Sequence, residues 1–128
     1  MNAKAVPSVL VIEDDGLARE ALVTILSRVG YAAFEAENGQ AALERLRTTI
    51  RPPDLILLDL MMPVMDGWQF HRALTREPAW AAIPVVICTG AGDGLLHAET
   101  LGAAGCIDKP IDPGELFDLL RHLLGEGR

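Results

Sequence analysis

Four short apolar runs in this chain lead into side chains that can do chemistry. Glu13 and Asp14 follow Ser8–Ile12, and Asp59 follows Leu55-Ile56-Leu57-Leu58. Thr89 follows the run that ends at Cys88, and Lys109 comes just past Gly105-Cys106-Ile107. Asp59 opens a turn rich in Pro and Gly: Leu60-Met61-Met62-Pro63-Val64-Met65-Asp66-Gly67. Three carboxylates in one cleft repel each other unless a cation compensates. Oxygen donors without His or thiolate suit a hard ion, and Mg²⁺ takes one or two carboxylates while keeping several waters. A backbone carbonyl from the turn after Asp59 could add a ligand. Lys109 brings a mobile positive charge, and Thr89 brings a hydroxyl that can donate to a new anion. A nucleophilic carboxylate, a metal to screen charge and donors for the equatorial oxygens are what phosphoryl transfer to an aspartate needs. Each residue has a plainer role open to it: strand-end turn residue, loop hydroxyl, solvated charge or, for Asp14 and Asp15, helix cap. Asp15 is read as the cap. Four matching strand ends argue against coincidence.

The elements that must position these groups follow from the pattern around them. Ser8–Ile12 is a β-branched apolar run, as in a strand buried on both faces. Ala18, Leu22, Ile25, Leu26 and Val29 recur at helical spacing, with Gly30 as the stop. Tyr31–Ala36 reads as a second strand, then Asn38 caps a helix carrying Ala42, Leu43 and Leu46 until Pro52-Pro53. Asp54–Asp59 is the third strand. Asp66 caps a helix through about Thr75 that turns Phe70 and Leu74 inward. Ile83–Cys88 is the fourth strand, and a short helix from Leu95 to Leu101 follows the loop Gly90–Gly94. Gly105–Ile107 is the fifth strand. Asp112, Pro113 and Glu115 then open a last helix with Leu116, Leu119, Leu120 and Leu123 as its buried stripe. Strand and helix thus alternate five times with short connections, which predicts an α/β fold with a parallel sheet and helices on both faces. Parallel strands bring their C-terminal ends to one edge, and ligands bind outside that edge.

Composition narrows the function. The chain has 128 residues, half of them hydrophobic, which is one domain's length with enough apolar surface for a core. Its formal net charge of −7 argues against a non-specific nucleic-acid surface. Cys88 and Cys106 fit no metal-ligand spacing, and Cys88 reads as a small buried hydrophobe. No N-terminal apolar stretch suits a signal peptide or a membrane span, so a cytoplasmic location with free thiols is expected. His71, His97 and His122 are read as surface or edge residues. The run Gly90–Gly94 lacks both phosphate-cradle spacings.

The ordered set of motifs resembles the receiver domain of two-component response regulators, of the chemotaxis-receiver type. The resemblance runs from about Ser8 to Leu124 within one domain, 1–128. It rests on Val9-Leu10-Val11-Ile12-Glu13-Asp14-Asp15, Pro53-Asp54-Leu55-Ile56-Leu57-Leu58-Asp59, Met62-Pro63, Met65-Asp66-Gly67, Ile83-Pro84-Val85-Val86 ahead of Thr89, and Lys109-Pro110. It implies a doubly wound (βα)5 fold, flavodoxin-like, with strand order 2-1-3-4-5. It implies Asp59 as phosphoacceptor, Asp14 as direct Mg²⁺ ligand, Glu13 acting through a metal-bound water, and the backbone carbonyl of Met61 as a further ligand. Thr89 would move toward the phosphoryl oxygens, Lys109 would pair with them, and the peptide before Pro110 would be cis. The implied protein is a regulatory switch that catalyses only its own phosphorylation and dephosphorylation. Its donor would be a sensor histidine kinase or a histidine phosphotransfer protein, docking on the first helix (Ala18, Leu22, Ile25) and at Pro110-Ile111. Its output would be binding to a downstream protein, with no direct nucleic-acid or membrane contact.

One position departs from the family's pattern. Three residues before the lysine, where the family usually has Tyr or Phe, stands Cys106, so the ring that relatives swing inward is missing. Met61 and Ala91, two positions past Asp59 and Thr89, offer no polar chain to position an attacking water, which predicts a long-lived phosphoaspartate. Trp68, just after Asp66-Gly67, is placed near the site, and Trp80 over the loop before the fourth strand. Three alternatives stand beside the switch. The chain could be the excised receiver of a multidomain regulator or hybrid kinase. It could be an aspartyl-phosphate phosphohydrolase, although that class usually has a second Asp where Met61 stands. It could be a pseudo-receiver that only binds partners, against which the intact acidic residues, Thr89 and Lys109 argue.

Overall fold

A computed structural model of the chain describes residues 6–90 and 92–125. Among the described residues, strands and helices alternate strictly: β1 (Ser8–Ile12), α1 (Gly16–Arg28), β2 (Ala32–Ala36), α2 (Gly39–Thr48), β3 (Leu55–Asp59), α3 (Gly67–Arg76), β4 (Val85–Thr89), α4 (Gly94–Leu101), β5 (Gly105–Asp108) and α5 (Pro113–Leu124). The strands form one sheet in the order β2-β1-β3-β4-β5. Every pairing is parallel, and the register sets Ile12 beside Leu58 and Asp59 beside Cys88. This is the flavodoxin-like order implied by the resemblance.

Successive side chains of a strand point to opposite faces, so runs without polar alternation must be covered on both. One face carries Leu10, Ile12, Ile56, Leu58 and Ile87, packed under α2, α3 and α4 through Leu43, Phe70, Leu74 and Ala98. The other carries Val9, Val11, Leu55, Leu57 and Val86 under α1 and α5 through Leu22, Leu26, Leu116 and Leu120. Leu55, Ile56, Leu57 and Leu58 are at most 1% exposed. Burying each contributes about 1.5–3 kcal/mol. Asp59 therefore ends a strand that is buried along its whole length.

Local signals set the helix starts. Asp15, Asn38 and Asp112 accept hydrogen bonds from the first-turn N–H groups of α1, α2 and α5. Asp66 and Gln69 cap each other reciprocally at α3. α3 must start close to the strand it follows: a Cβ on Gly67 would stand 2.7 Å from the Leu60 Cα and 2.8 Å from the Asp59 carbonyl oxygen. Only glycine fits there, and its N–H donates to the Leu60 carbonyl at 3.0 Å.

The structure corrects several sequence expectations. β4 starts at Val85 rather than Ile83 and includes Thr89 as its last residue. Pro84 has no N–H to donate, although its carbonyl accepts from Ile56 at 3.0 Å. β5 extends one residue further, to Asp108. Tyr31 precedes β2 but is buried. Val29 is not on the inner stripe of α1, because the helix ends at Arg28 and leaves Val29 39% exposed. His71 is buried rather than at the surface: with Gly67, Phe70 and Leu74 it completes the i, i+3, i+4, i+7 stripe of α3.

Candidate functional site

The C-terminal ends of β1, β3, β4 and β5 lie side by side, and the anticipated groups meet there. Glu13 and Asp59 are 3% and 5% exposed, whereas Asp14 faces solvent. One carboxylate oxygen from each of the three lies within 4.8 Å of the others. Lys109 reaches in from the end of β5. Its Nζ stands 2.7 Å from Glu13 Oε1 and 3.3 Å from Asp59 Oδ2. The Lys109 N–H donates to the Thr89 carbonyl at 2.9 Å, which ties its backbone to the end of β4. The Lys109–Pro110 peptide is cis. Thr89 is buried at the end of β4, with its methyl group toward Gly94 of α4, where an added Cβ would lie 3.0 Å away.

The buried carboxylates are held at several points. Glu13 Oε2 accepts from the Asp15 N–H at 3.0 Å, and the Glu13 N–H donates to the Ala36 carbonyl at 3.2 Å. Asp59 Oδ1 accepts from the Met61 N–H at 3.1 Å. The Met61 side chain turns outward, 69% exposed. Ala91 lies outside the described residues.

Electrostatics explain what this arrangement favours. Burial raises the Asp59 pKa from 3.8 to about 6. The Met61 N–H opposes that rise, Glu13 adds to it, and Lys109 opposes it. For Lys109, burial works against the charged form, but Glu13 and Asp59 outweigh it and hold the ammonium above its ordinary pKa. Three carboxyl groups face one ammonium, so the formal charge of the cluster is negative. An all-oxygen donor set with one solvent-facing member and that residual charge fits a hard divalent cation that keeps part of its water.

Two features were not legible in advance. Arg19 of α1 binds the Glu13 carbonyl through Nη1 and the Glu35 carboxylate through Nε, both at 2.8 Å. One partner lies just after β1 and the other on β2, so no local spacing marks it. Val64 has φ +69°, and the Met65 N–H closes onto the Pro63 carbonyl at 2.7 Å. A β-branched residue in the left-handed region is strained, and this strain sits in the turn after Asp59.

Around the site, an apolar groove of about 310 Å³ runs between α1 and the segment after β5. Ala18, Leu22 and Ile25 form one wall, Pro110 and Ile111 the other, and Glu13 and Lys109 stand at its end. Trp68 packs edge-on against His97 of α4, with ring centroids 5.2 Å apart. His97 in turn contacts Asp93 at 2.9 Å. Cys106 is half-buried, and burial together with Asp108 and Glu115 raises its thiol pKa. Burial pushes Cys88 up to about 12. Neither thiol has the lowered pKa of a reactive cysteine. Among the described residues, no helix is long and apolar enough to cross a membrane.

Comparison with known proteins supplies the family and the fold. The family model of the response regulator receiver domain matches residues 9–121. The phosphate regulon transcriptional regulatory protein PhoB of Escherichia coli K12 is 40% identical over 119 residues, which cover 91% of this chain and 51% of that protein. PhoB of Pseudomonas aeruginosa is 35% identical over the same shares. The chain thus spans about half the length of these relatives. Among solved structures, the chemotaxis protein CheY4 of Vibrio cholerae superposes with a TM-score of 0.83 at 27% identity, covering 94% of this chain and all of that one. The receiver domain of a signal transduction histidine kinase from Syntrophus aciditrophicus gives 0.81 at 32% identity, covering 92% and 89%.

Proposed function

This chain belongs to the response regulator receiver domain family, and we propose from that premise that it accepts a phosphoryl group on Asp59 with Mg²⁺ bound beside it. The observation that carries the proposal is the cluster itself: Glu13, Asp14 and Asp59 converge within 4.8 Å, with the Lys109 ammonium set between two of them. Asp14, Asp59 and the Met61 carbonyl would hold the cation, with Glu13 acting through one of its waters. The cation would screen the approach of an anionic donor and favour in-line transfer to a carboxylate.

The protein's own groups have defined parts. Asp59 is the nucleophile and must be ionised. Its pKa of about 6 leaves it so at neutral pH, and a cation would lower that value further. Attack joins Asp59 Oδ to phosphorus, and the donor's imidazole nitrogen leaves. Lys109 would shift its ion pair to the new phosphoryl oxygens, and the Thr89 hydroxyl would donate to another. Because the Lys109 N–H is bonded to the Thr89 carbonyl and Thr89 abuts Gly94, these movements would bear on the start of α4. Charge placed at one site would thereby bias a packed element.

The donor we propose is a histidine kinase or histidine phosphotransfer protein. The groove between α1 and Pro110-Ile111 suits an apolar helix that brings its histidine to Asp59. The protein would act in the cytoplasm as a regulatory switch and signal by binding another protein, either alone or as the receiver part of a longer regulator. Intact mass after incubation with Mg²⁺ and acetyl phosphate tests the core of this reading. One phosphoryl adduct is expected, absent in Asp59→Asn and absent when Mg²⁺ is chelated. An adduct that survives in Asp59→Asn would overturn it.

A further inference from the structure

We propose that Arg19 is a positioning residue for the metal ligands: it sets the divalent-cation affinity of the site by fixing the peptide from which Asp14 projects. The inference rests on the reading of Glu13, Asp14 and Asp59 as the cation site. Asp14 is the solvent-facing member of that cluster. Its placement depends on the backbone that carries it. The Glu13 carbonyl belongs to the same peptide unit as the Asp14 nitrogen, so whatever holds that carbonyl also fixes where Asp14 starts.

Glu13 is held on every side. Its N–H bonds the Ala36 carbonyl, its Oε1 pairs with Lys109, and its Oε2 accepts from the Asp15 N–H. Arg19 adds the bond to its carbonyl at 2.8 Å. The guanidinium is itself held, because its Nε donates to Glu35 Oε1 at 2.8 Å, and the residue's backbone N–H donates to the Asp15 carbonyl at 2.9 Å in the first turn of the helix. The side chain is only 21% exposed. Arg19 thus ties the first turn of α1, the end of β1 and the edge strand β2 at the point where the chain turns into the site. Its planar fork meets the two acceptors from two separate nitrogens held at a fixed angle, whereas a lysine would have to reach both from a single point.

Positioning and plain electrostatics predict opposite signs. Arg19 is a cation beside a cation site, so charge repulsion alone would make its removal tighten Mg²⁺ binding. Loss of an outer-shell support instead weakens metal affinity by about 10–100-fold. Arg19→Lys separates the two, because it keeps the charge and loses the fork.

The test is calorimetric titration of the full chain with Mg²⁺ at pH 7.5, for wild type, Arg19→Met, Arg19→Lys and Glu35→Ala. Urea unfolding in chelator checks each fold. Expected are binding by wild type, about tenfold or greater weakening in Arg19→Met, clear weakening in Arg19→Lys, and a smaller loss in Glu35→Ala, which frees one end of the fork. Should Arg19→Met fail to fold, Arg19→Lys and Glu35→Ala decide. Affinity that is unchanged or tighter in folded Arg19 variants, with wild type binding normally, would overturn the positioning role alone. No Mg²⁺ binding by wild type would instead overturn the cation site, and the positioning role with it.

Discussion

Replacing Asp59 by Asn is expected to stabilise the metal-free protein at neutral pH and to do nothing at pH 3. Asp59 is buried beside Glu13, and its pKa lies at about 6 in the fold against an ordinary 3.8. Between those values the native state binds the proton more tightly than the unfolded chain does. Stability from this group is therefore present in acid and lost as pH rises through about 6. At about 1.4 kcal/mol per pH unit, the full loss is about 3 kcal/mol. Asn removes the charge while keeping an acceptor for the Met61 N–H, and Lys109 keeps its closer partner, Glu13 at 2.7 Å. The rise to about 6 already includes the opposing pull of Lys109 at 3.3 Å, so a net stabilisation of up to about 3 kcal/mol is expected at pH 7.5. His71 works in the opposite direction: burial lowers its pKa, so its contribution is lost as pH falls below its ordinary value of 6.5. Comparing Asp59→Asn with wild type at each pH cancels that contribution. The assay is urea unfolding in chelator at pH 3, 5 and 7.5. A destabilised Asp59→Asn protein at pH 7.5, or a difference that does not shrink toward pH 3, would refute the reasoning. Saturating Mg²⁺ should stabilise wild type more than the mutant.

Further outcomes follow from the same geometry. Val64→Asn should raise stability by about 1 kcal/mol, because Asn tolerates the φ of +69° that strains valine; an unchanged urea midpoint would contradict the strain. Gly67→Ala should cost about 2 kcal/mol or more, since its Cβ would meet backbone at 2.7 Å; thermal unfolding shows whether it does. The phosphoaspartate should persist well beyond seconds in magnesium buffer, and Met61→Asn should shorten its life, as read by loss of the mass adduct. Cys106 should react with iodoacetamide at pH 8 more slowly than an unperturbed thiol, because its pKa is raised; faster alkylation would point to an activated cysteine.

The sheet and the cluster were legible for one physical reason. Apolar runs long enough to be buried on both faces end in polar residues only where the chain leaves the core, so reactive strand ends announce both the strand and the site. Asp15, Asn38, Asp66 and Asp112 marked helix starts because a cap is a local bond. What stayed hidden depends on partners far away in sequence or on backbone shape. Arg19 acts through the Glu13 carbonyl and through Glu35 on a neighbouring strand. The strain at Val64 is a dihedral angle at a residue whose type argues against it. Ile83 extends the apolar run in the sequence, while hydrogen bonding starts β4 at Val85. The polarity of His71 points to the surface, while its position on the inner stripe of α3 buries it.

The central claim is that Asp59 is the residue that takes the phosphoryl group. The most direct measurement is to treat the protein with acetyl phosphate and Mg²⁺, trap the acyl phosphate by borohydride reduction, and map the reduced residue by peptide mass. Reduction of Asp59 alone is the predicted result. Reduction at Asp14 or at any other carboxylate, with Asp59 unmodified, would contradict it.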